Sequence, residues 1–198
     1  MTTPQQFVVA YSTDGSTWTN LSDVQEVSAS IGRQTLKDSF IASRLTFTMR
    51  YPGGFYSPNT ALVTGTWIRL SNSTGGSGYF MWKGKIADVS VEWGKPYNST
   101  THVGVSDYVT VSCEGALAEW GRARGNDYAI TEANAYYALA QASSASGLSL
   151  GTTYSSTDSP LVSASTVTGS WAEWVNTFAT TLSATVKDGS GQLGVYTK

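Results

Sequence analysis

One cysteine, Cys113, in a chain of 198 residues excludes an intramolecular disulfide framework and any cysteine-rich zinc or iron–sulfur centre, so stability must come from burial. The lone histidine, His102, sits between Thr101 and Val103 with no Cys or carboxylate at ligand spacing, and reads as an ordinary loop residue. Charged residues make up 13% of the chain, against roughly 25% in ordinary soluble domains. With 12 Lys+Arg, 14 Asp+Glu and a formal net charge of −2, no like-charge run exists to track a phosphate backbone or an anionic bilayer. Nucleic acid is therefore not expected as the primary partner. No apolar run approaches the roughly 18 residues of a transmembrane helix, so membrane insertion is not expected either. Met1 to Gln6 is polar and lacks the basic-then-apolar order of an export signal, which predicts synthesis in a cytosol without one.

The usual signatures of chemistry are missing too. There is no G-x-S-x-G, Walker A, G-x-G-x-x-G or calcium-loop motif, and Gly75-Gly76-Ser77-Gly78 has no following Lys. Two carboxylate pairs could be proposed for glycoside hydrolysis, Asp88 with Glu92 and Glu114 with Glu119. The first pair alternates with Val89, Val91 and Trp93 as on a solvated strand face, and the second falls at a short helix where exposed acids are ordinary. No catalytic, cofactor-binding or metal-binding residue is therefore expected, and the chain is read as a non-enzyme without a cofactor.

What the chain has is 40% hydrophobic and 12% aromatic residues, with about a quarter of its positions serine or threonine. That profile rules out disorder and favours β-structure with uncharged polar surfaces. Residues 1–113 are read as one β domain, with strands over residues 7–113. Phe7 to Tyr11 is a short apolar run, Asp14-Gly15-Ser16 is a turn sequence, and Trp18 opens a second extended segment. Leu45, Phe47, Met49 and Tyr51 alternate with Thr46, Thr48 and Arg50, and the segment ends at Pro52-Gly53-Gly54. Thr66 to Leu70 and Tyr79 to Trp82 flank a Ser/Asn/Gly loop. Val89, Val91 and Trp93 mark another strand, and Val105, Val109, Val111 and Cys113 one more, with Asp107 the odd member of that face. Six or more antiparallel strands with one apolar face each predict a β-barrel or sandwich.

Residues 114–198 change period and predict a smaller α+β domain. Leu117 and Trp120 suggest a short helix over 114–123, weakened by Gly121 and ended by Gly125. A second helix is expected over 131–146, capped by Thr131, with Tyr136, Leu139, Ala140 and Ser143 on its packed face and Gly147 at its C-terminal end. A short strand follows at Leu161 to Val167. Ser170-Trp171-Ala172-Glu173 is a capping box, and Trp171, Trp174, Val175, Phe178, Ala179 and Leu182 form the stripe of a helix packed on a sheet. Ala184 to Lys187, the turn Asp188-Gly189-Ser190-Gly191, and Leu193 to Tyr196 predict a closing hairpin.

Seven tryptophans remain to be placed. Trp93, Trp171 and Trp174 lie on predicted apolar faces, while Trp18, Trp67 and Trp82 are the ones that could present a ring to a sugar or a base, packing being the commoner use.

One ordered set of segments resembles a known family. Asp14-Gly15-Ser16-Thr17-Trp18, Val27 to Arg33, Ala42-Ser43-Arg44-Leu45-Thr46-Phe47-Thr48 and Gly54-Phe55-Tyr56-Ser57-Pro58-Asn59 resemble the opening of minor tail (tail hub, baseplate hub) proteins of long-tailed, siphovirus-type phages, especially those infecting actinobacteria. Gly65-Thr66-Trp67-Ile68-Arg69-Leu70 followed by Phe80-Met81-Trp82-Lys83-Gly84-Lys85-Ile86 resembles their strand, loop and F-x-G-x-I unit. Val109 to Leu117 resembles the strand-to-helix passage after it, with Glu114 where the family has Asp, and Ser170 to Tyr196 resembles the later helix and D-G-x-L hairpin. The resemblance implies a virion part: a β-barrel or split-barrel domain with an α+β domain. Such a part assembles as a homo-oligomer, ring or trimer, with the tail tube, distal tail, tape measure and tip proteins. The alternative is a carbohydrate-binding β-sandwich, an adhesin for host cell-wall glycans, using Trp18, Trp67 or Trp82.

Overall fold

In the computed structural model, which describes residues 7–30, 41–51, 62–72, 80–92, 107–188 and 191–197, the period-two segments form one antiparallel sheet. Its strands are β1 (Phe7–Ser12), β2 (Thr19–Asn20), β3 (Val24–Ser30), β4 (Arg44–Tyr51), β5 (Trp67–Asn72), β6 (Phe80–Glu92) and β7 (Asp107–Glu114). They lie in the order β2-β1-β5-β6-β7-β4-β3, every neighbouring pair antiparallel. The chain divides into two units, Met1–Ser30 with Arg44–Glu114, and Ile31–Ser43 with Gly115–Lys198. His102, Trp93, Val105 and residues 52–59 and 73–78 of the sequence reading lie outside the described residues.

The alternation in β4 sorts its side chains as expected. Leu45, Phe47 and Met49 are buried, together with Val9, Ile68, Leu70, Trp82, Ile86, Val109, Val111 and Cys113 from the strands around them. The described residues of this unit contain no helix to cover that face. At 13 residues, β6 serves two partners, β5 through Phe80–Lys85 and β7 through Lys85–Glu92. A register shift between Ile86 and Asp88 changes its phase, so that Trp82, Gly84 and Ile86 point inward before the shift and Val89 and Val91 pack on the core after it. Two strands expected from the sequence are therefore one bent strand. Gly84 is required in the first half of this strand, because a Cβ there would collide with the Trp82 ring and the Glu114 carbonyl.

The second unit is built from α1 (Ala116–Arg122), β8 (Tyr128–Ile130), β9 (Ala133–Asn134), α2 (Ala135–Ser146), β10 (Leu150–Thr152), β11 (Leu161–Val162), β12 (Ser165–Val167), α3 (Trp171–Thr181), β13 (Thr185–Lys187) and β14 (Leu193–Tyr196). The expected closing hairpin is β13–β14, and β10 joins it in parallel to make a three-stranded sheet. That third strand comes from a Ser/Thr/Gly-rich stretch with no readable alternation. The single strand expected over 161–167 is two short ones, β11 pairing with β9 and β12 with β8.

The capping box of α3 is present as read: Ser170 Oγ accepts from Glu173 N–H at 3.2 Å, and Glu173 Oε2 accepts from Ser170 N–H at 2.9 Å. Helix α2 corrects the sequence reading. It starts four residues later than expected and its cap is Asn134, whose Oδ1 accepts from Tyr137 N–H at 3.1 Å, whereas Thr131 bonds Gln141 Oε1. Its packed face is Ala135, Ala138, Leu139 and Ala142, while Tyr136 and Ala140 point outward. Three alanines with one leucine give a close-packed face that ranking by side-chain size overlooks. Helix α1 ends at Arg122, and Gly125 is needed instead where Val167 presses on the backbone.

Candidate functional site

The outer face of the first unit's sheet carries an alternating ladder of indoles and cations. In β5 the inward Ile68 and Leu70 leave Trp67 and Arg69 outward, and in β6 the inward Trp82 and Ile86 leave Lys83 and Lys85 outward. Register places Trp67 opposite Lys85 and Arg69 opposite Lys83. The turn after β1 brings in a second indole. Asp14 Oδ1 accepts from the N–H groups of Ser16 and Thr17, both at 2.8 Å, and from Ser12 Oγ at 2.7 Å. These backbone bonds, first that of Thr17 and then that of Ser16, hold the Asp14 carboxyl well below the usual carboxylate range. Gly15 takes φ +75 in this turn and passes so close to the Trp67 indole that a side chain there would press on it.

The turn seats Trp18 against Arg69, whose Cζ lies 4.6 Å from the ring centroid, and near Lys83, whose Nζ lies 5.4 Å from it. Lys83 Nζ is also 4.9 Å from the Trp67 ring, and Lys85 Nζ 4.6 Å from the same ring. Lys83 Nζ donates to the Gly15 carbonyl at 3.3 Å, which ties the turn to the sheet. Burial, and after it the charge of Arg69, push the Lys83 ammonium below the usual lysine range. These side chains are half-buried, so the face combines fixed positive charge with aromatic surface.

The three tryptophans singled out by sequence are thus separated. Trp18 and Trp67 lie together on this face, their rings against cations, whereas Trp82 is fully enclosed in the core and cannot meet a ligand. The cations between the indoles were missed in the sequence reading. Their signal was the pairing of W-I-R-L with W-K-G-K-I, which places them on one surface only once the strand register is known.

The first carboxylate pair does not converge on a site. Asp88 and Glu92 are exposed on β6 four residues apart, a spacing of about 13 Å along a strand. Glu114 ends β7 in the first unit and Glu119 belongs to α1 in the second, and neither lacks an interaction partner. Cys113 is buried, and desolvation pushes its thiol up to about 12. Among the described residues no three His, Cys, Asp or Glu side chains group as metal ligands. No helix among them is long and apolar enough to cross a membrane.

The second unit has a groove of about 570 Å³ between α3 and residues 161–170. Leu161, Val162, Trp174, Phe178 and Leu182 give it apolar walls, and Ser165, Thr177 and Thr181 contribute hydroxyls. The Trp174 indole N–H donates to Ser165 Oγ at 3.1 Å, and the Thr177 and Thr181 hydroxyls donate back to the carbonyls of Glu173 and Thr177. Trp174 and Leu182, read from sequence as packed residues, do pack half-buried against this unit's core, and their outer sides also line the groove.

Solved structures that share this fold include two tail proteins. The 43 kDa tail protein of prophage MuSo2 from Shewanella oneidensis matches at a TM-score of 0.59 and 12% identity, covering 96% of this chain and 53% of that one. The tail protein from Neisseria meningitidis MC58 matches at a TM-score of 0.60 and 10% identity, covering 96% and 50%. The chain thus spans about half the length of either. No protein-family model and no curated protein matches the sequence.

Proposed function

We propose that this protein is a structural component of a phage tail, located in the virion tail. In this reading it is a hub or baseplate part of the minor-tail type. It assembles with copies of itself as a ring or trimer, and with tail tube, distal tail, tape measure and other tip proteins, and it carries out no catalysis. The observation that carries the reading is the fold match over 96% of the chain to two structures described as tail proteins. The ordered resemblance of its segments to siphovirus minor tail proteins supports the same reading.

The physical character of the surface agrees with it. A permanent assembly part acts through contacts, and aromatic and Arg side chains at a surface favour such contacts. Among the described residues β3 is one margin of the large sheet, an exposed seven-residue strand with a single charge, Glu26. A sheet margin of this kind suits pairing with a neighbouring subunit. The carbohydrate-binding alternative has less support, since Trp82 is buried and the Trp18 and Trp67 rings are held against Arg69, Lys83 and Lys85.

The test is quantitative composition of purified particles. The protein is expected in assembled tails at a fixed copy number and in cross-links with itself and tail-tip proteins. Its absence from mature particles, or turnover of a substrate by the purified chain, overturns the reading.

A further inference from the structure

Arg69 and Lys83 are direct cross-strand partners on the outer face of the sheet. Side chains so paired have Cβ atoms about 5 Å apart, and like charges in that relation ordinarily destabilise a sheet. Among the described residues no carboxylate pairs with either of them. Arg69 Nε is buried without a hydrogen-bond partner, leaving the terminal nitrogens to carry the guanidinium's bonds. Lys83 has one acceptor, the Gly15 carbonyl, and an ammonium offers three donors. Trp18 and Trp67 fix both head groups in place, so the positive charge is preorganised rather than waving on flexible stems. Burial first, and then the charge of Arg69, lowers the Lys83 ammonium below the usual lysine range.

We propose that the Arg69–Lys83 pair is the seat of a carboxylate side chain, an Asp or Glu presented by a partner protein docking on the β5–β6 face. A guanidinium beside an ammonium offers a planar fork and a point charge to one oxyanion, and either would be worth more there than on an open surface. The flanking indoles supply the apolar rim that protein contacts use around a central charged pair. A nucleic-acid backbone does not fit this chemistry, because it needs a row of cations and the chain carries 12 Lys+Arg against 14 Asp+Glu with no basic run. The identity of the partner as a tail protein rests on the function proposed above; the carboxylate seat itself does not.

The test uses the full chain with its tryptophan indole nitrogens labelled, titrated with an end-capped hexaglutamate peptide and followed by NMR. The Trp18 and Trp67 indole N–H signals are expected to shift saturably while that of Trp174 stays fixed. R69Q and K83Q should each weaken the peptide about tenfold, the loss of one charge-assisted bond. K83R should retain binding and K187Q, in the second unit, should bind like the parent chain. A melting temperature no lower than that of the parent chain, with the signal of the buried Trp82 indole retained without peptide, certifies the fold of each variant. The proposal fails if millimolar peptide moves neither signal, or if R69Q and K83Q bind as the parent does. It also fails if inorganic phosphate at equal concentration produces the same shifts, which would mark a small-anion site. A chain that binds the peptide but is missing from virus particles would sink the tail assignment and leave this inference standing.

Discussion

Asp188 accepts a hydrogen bond from the backbone N–H of Ser43 at 2.8 Å, across 145 positions of sequence, with its own side chain almost entirely out of water. Ser43 in turn accepts from Gly115 N–H through its carbonyl at 2.9 Å, and Gly115 stands at the start of α1. A Cβ on Gly115 would run into Ser43 Oγ and the Asp188 carboxylate. Three distant segments of the second unit therefore meet at one buried acid.

Removing that acceptor leaves the Ser43 N–H buried and unpaired, so D188A should lower stability by about 1–3 kcal/mol. G115A should cost a similar amount by forcing the carboxylate away. Because both act on the same contact, the double variant should lose less than the sum of the single losses. Denaturant unfolding of the three variants measures this, and full additivity would show the three groups to be independent.

Glycine position by position gives an opposed pair of outcomes. G84A places a methyl against the Trp82 ring and the rigid Glu114 carbonyl, and should destabilise the first unit by about 1–3 kcal/mol or more. In α1, a Cβ on exposed Gly121 meets nothing closer than Ala172 Cβ at 4.0 Å, so G121A should stabilise by about 0.5–1 kcal/mol. Thermal scans of both variants check the signs.

The Cys113 thiol should resist alkylation at pH 8 in the folded protein and react on unfolding, because burial raises it from an ordinary 9.0 to about 12. Between those values the folded thiol keeps its proton while the unfolded one has lost it. The unfolded state then binds fewer protons, and stability declines as pH climbs from about 9 to about 12. In C113A that part of the alkaline decline should be absent, as urea midpoints taken across the range would register.

At the start of α3, S170A should cost about 1 kcal/mol, the usual penalty for a lost side-chain cap. The Glu173 carboxyl is held below its ordinary value, first by the Ser170 backbone N–H and then by the Ser170 side chain. Its folded-state affinity for a proton is reduced, so its stabilising contribution is present above the ordinary Glu range and fades as pH falls through the lowered value. Comparing E173Q with the parent chain from pH 7 to pH 2 should show the gap in unfolding midpoint closing toward the acid end.

The elements legible from sequence are those whose signal is local. The period of two in β4 and β7, the capping box of α3, Gly147 at the left-handed end of α2 and the β13–β14 hairpin each depend on contacts within a few residues, so composition and spacing suffice to find them. Where the signal depends on a partner, it failed. The phase shift at Ile86 and Asp88 made one strand look like two, and the small packed face of α2 hid behind its larger, exposed tyrosines. Strand β10 has no pattern of its own and exists because β14 offers it a ladder.

The candidate site follows the same division. Sequence alone determined that the chain is β-rich with an α+β second half, that a single cysteine excludes an intramolecular disulfide, and that Trp18, Trp67 and Trp82 needed explaining. Only the tertiary structure decided which of these rings is core and which is surface, and that Arg69 and Lys83 share one face with two indoles. The reason is physical: alternation tells a side chain which side of its own strand it occupies, but strand register and sheet curvature, set by long-range pairing, decide what it meets there.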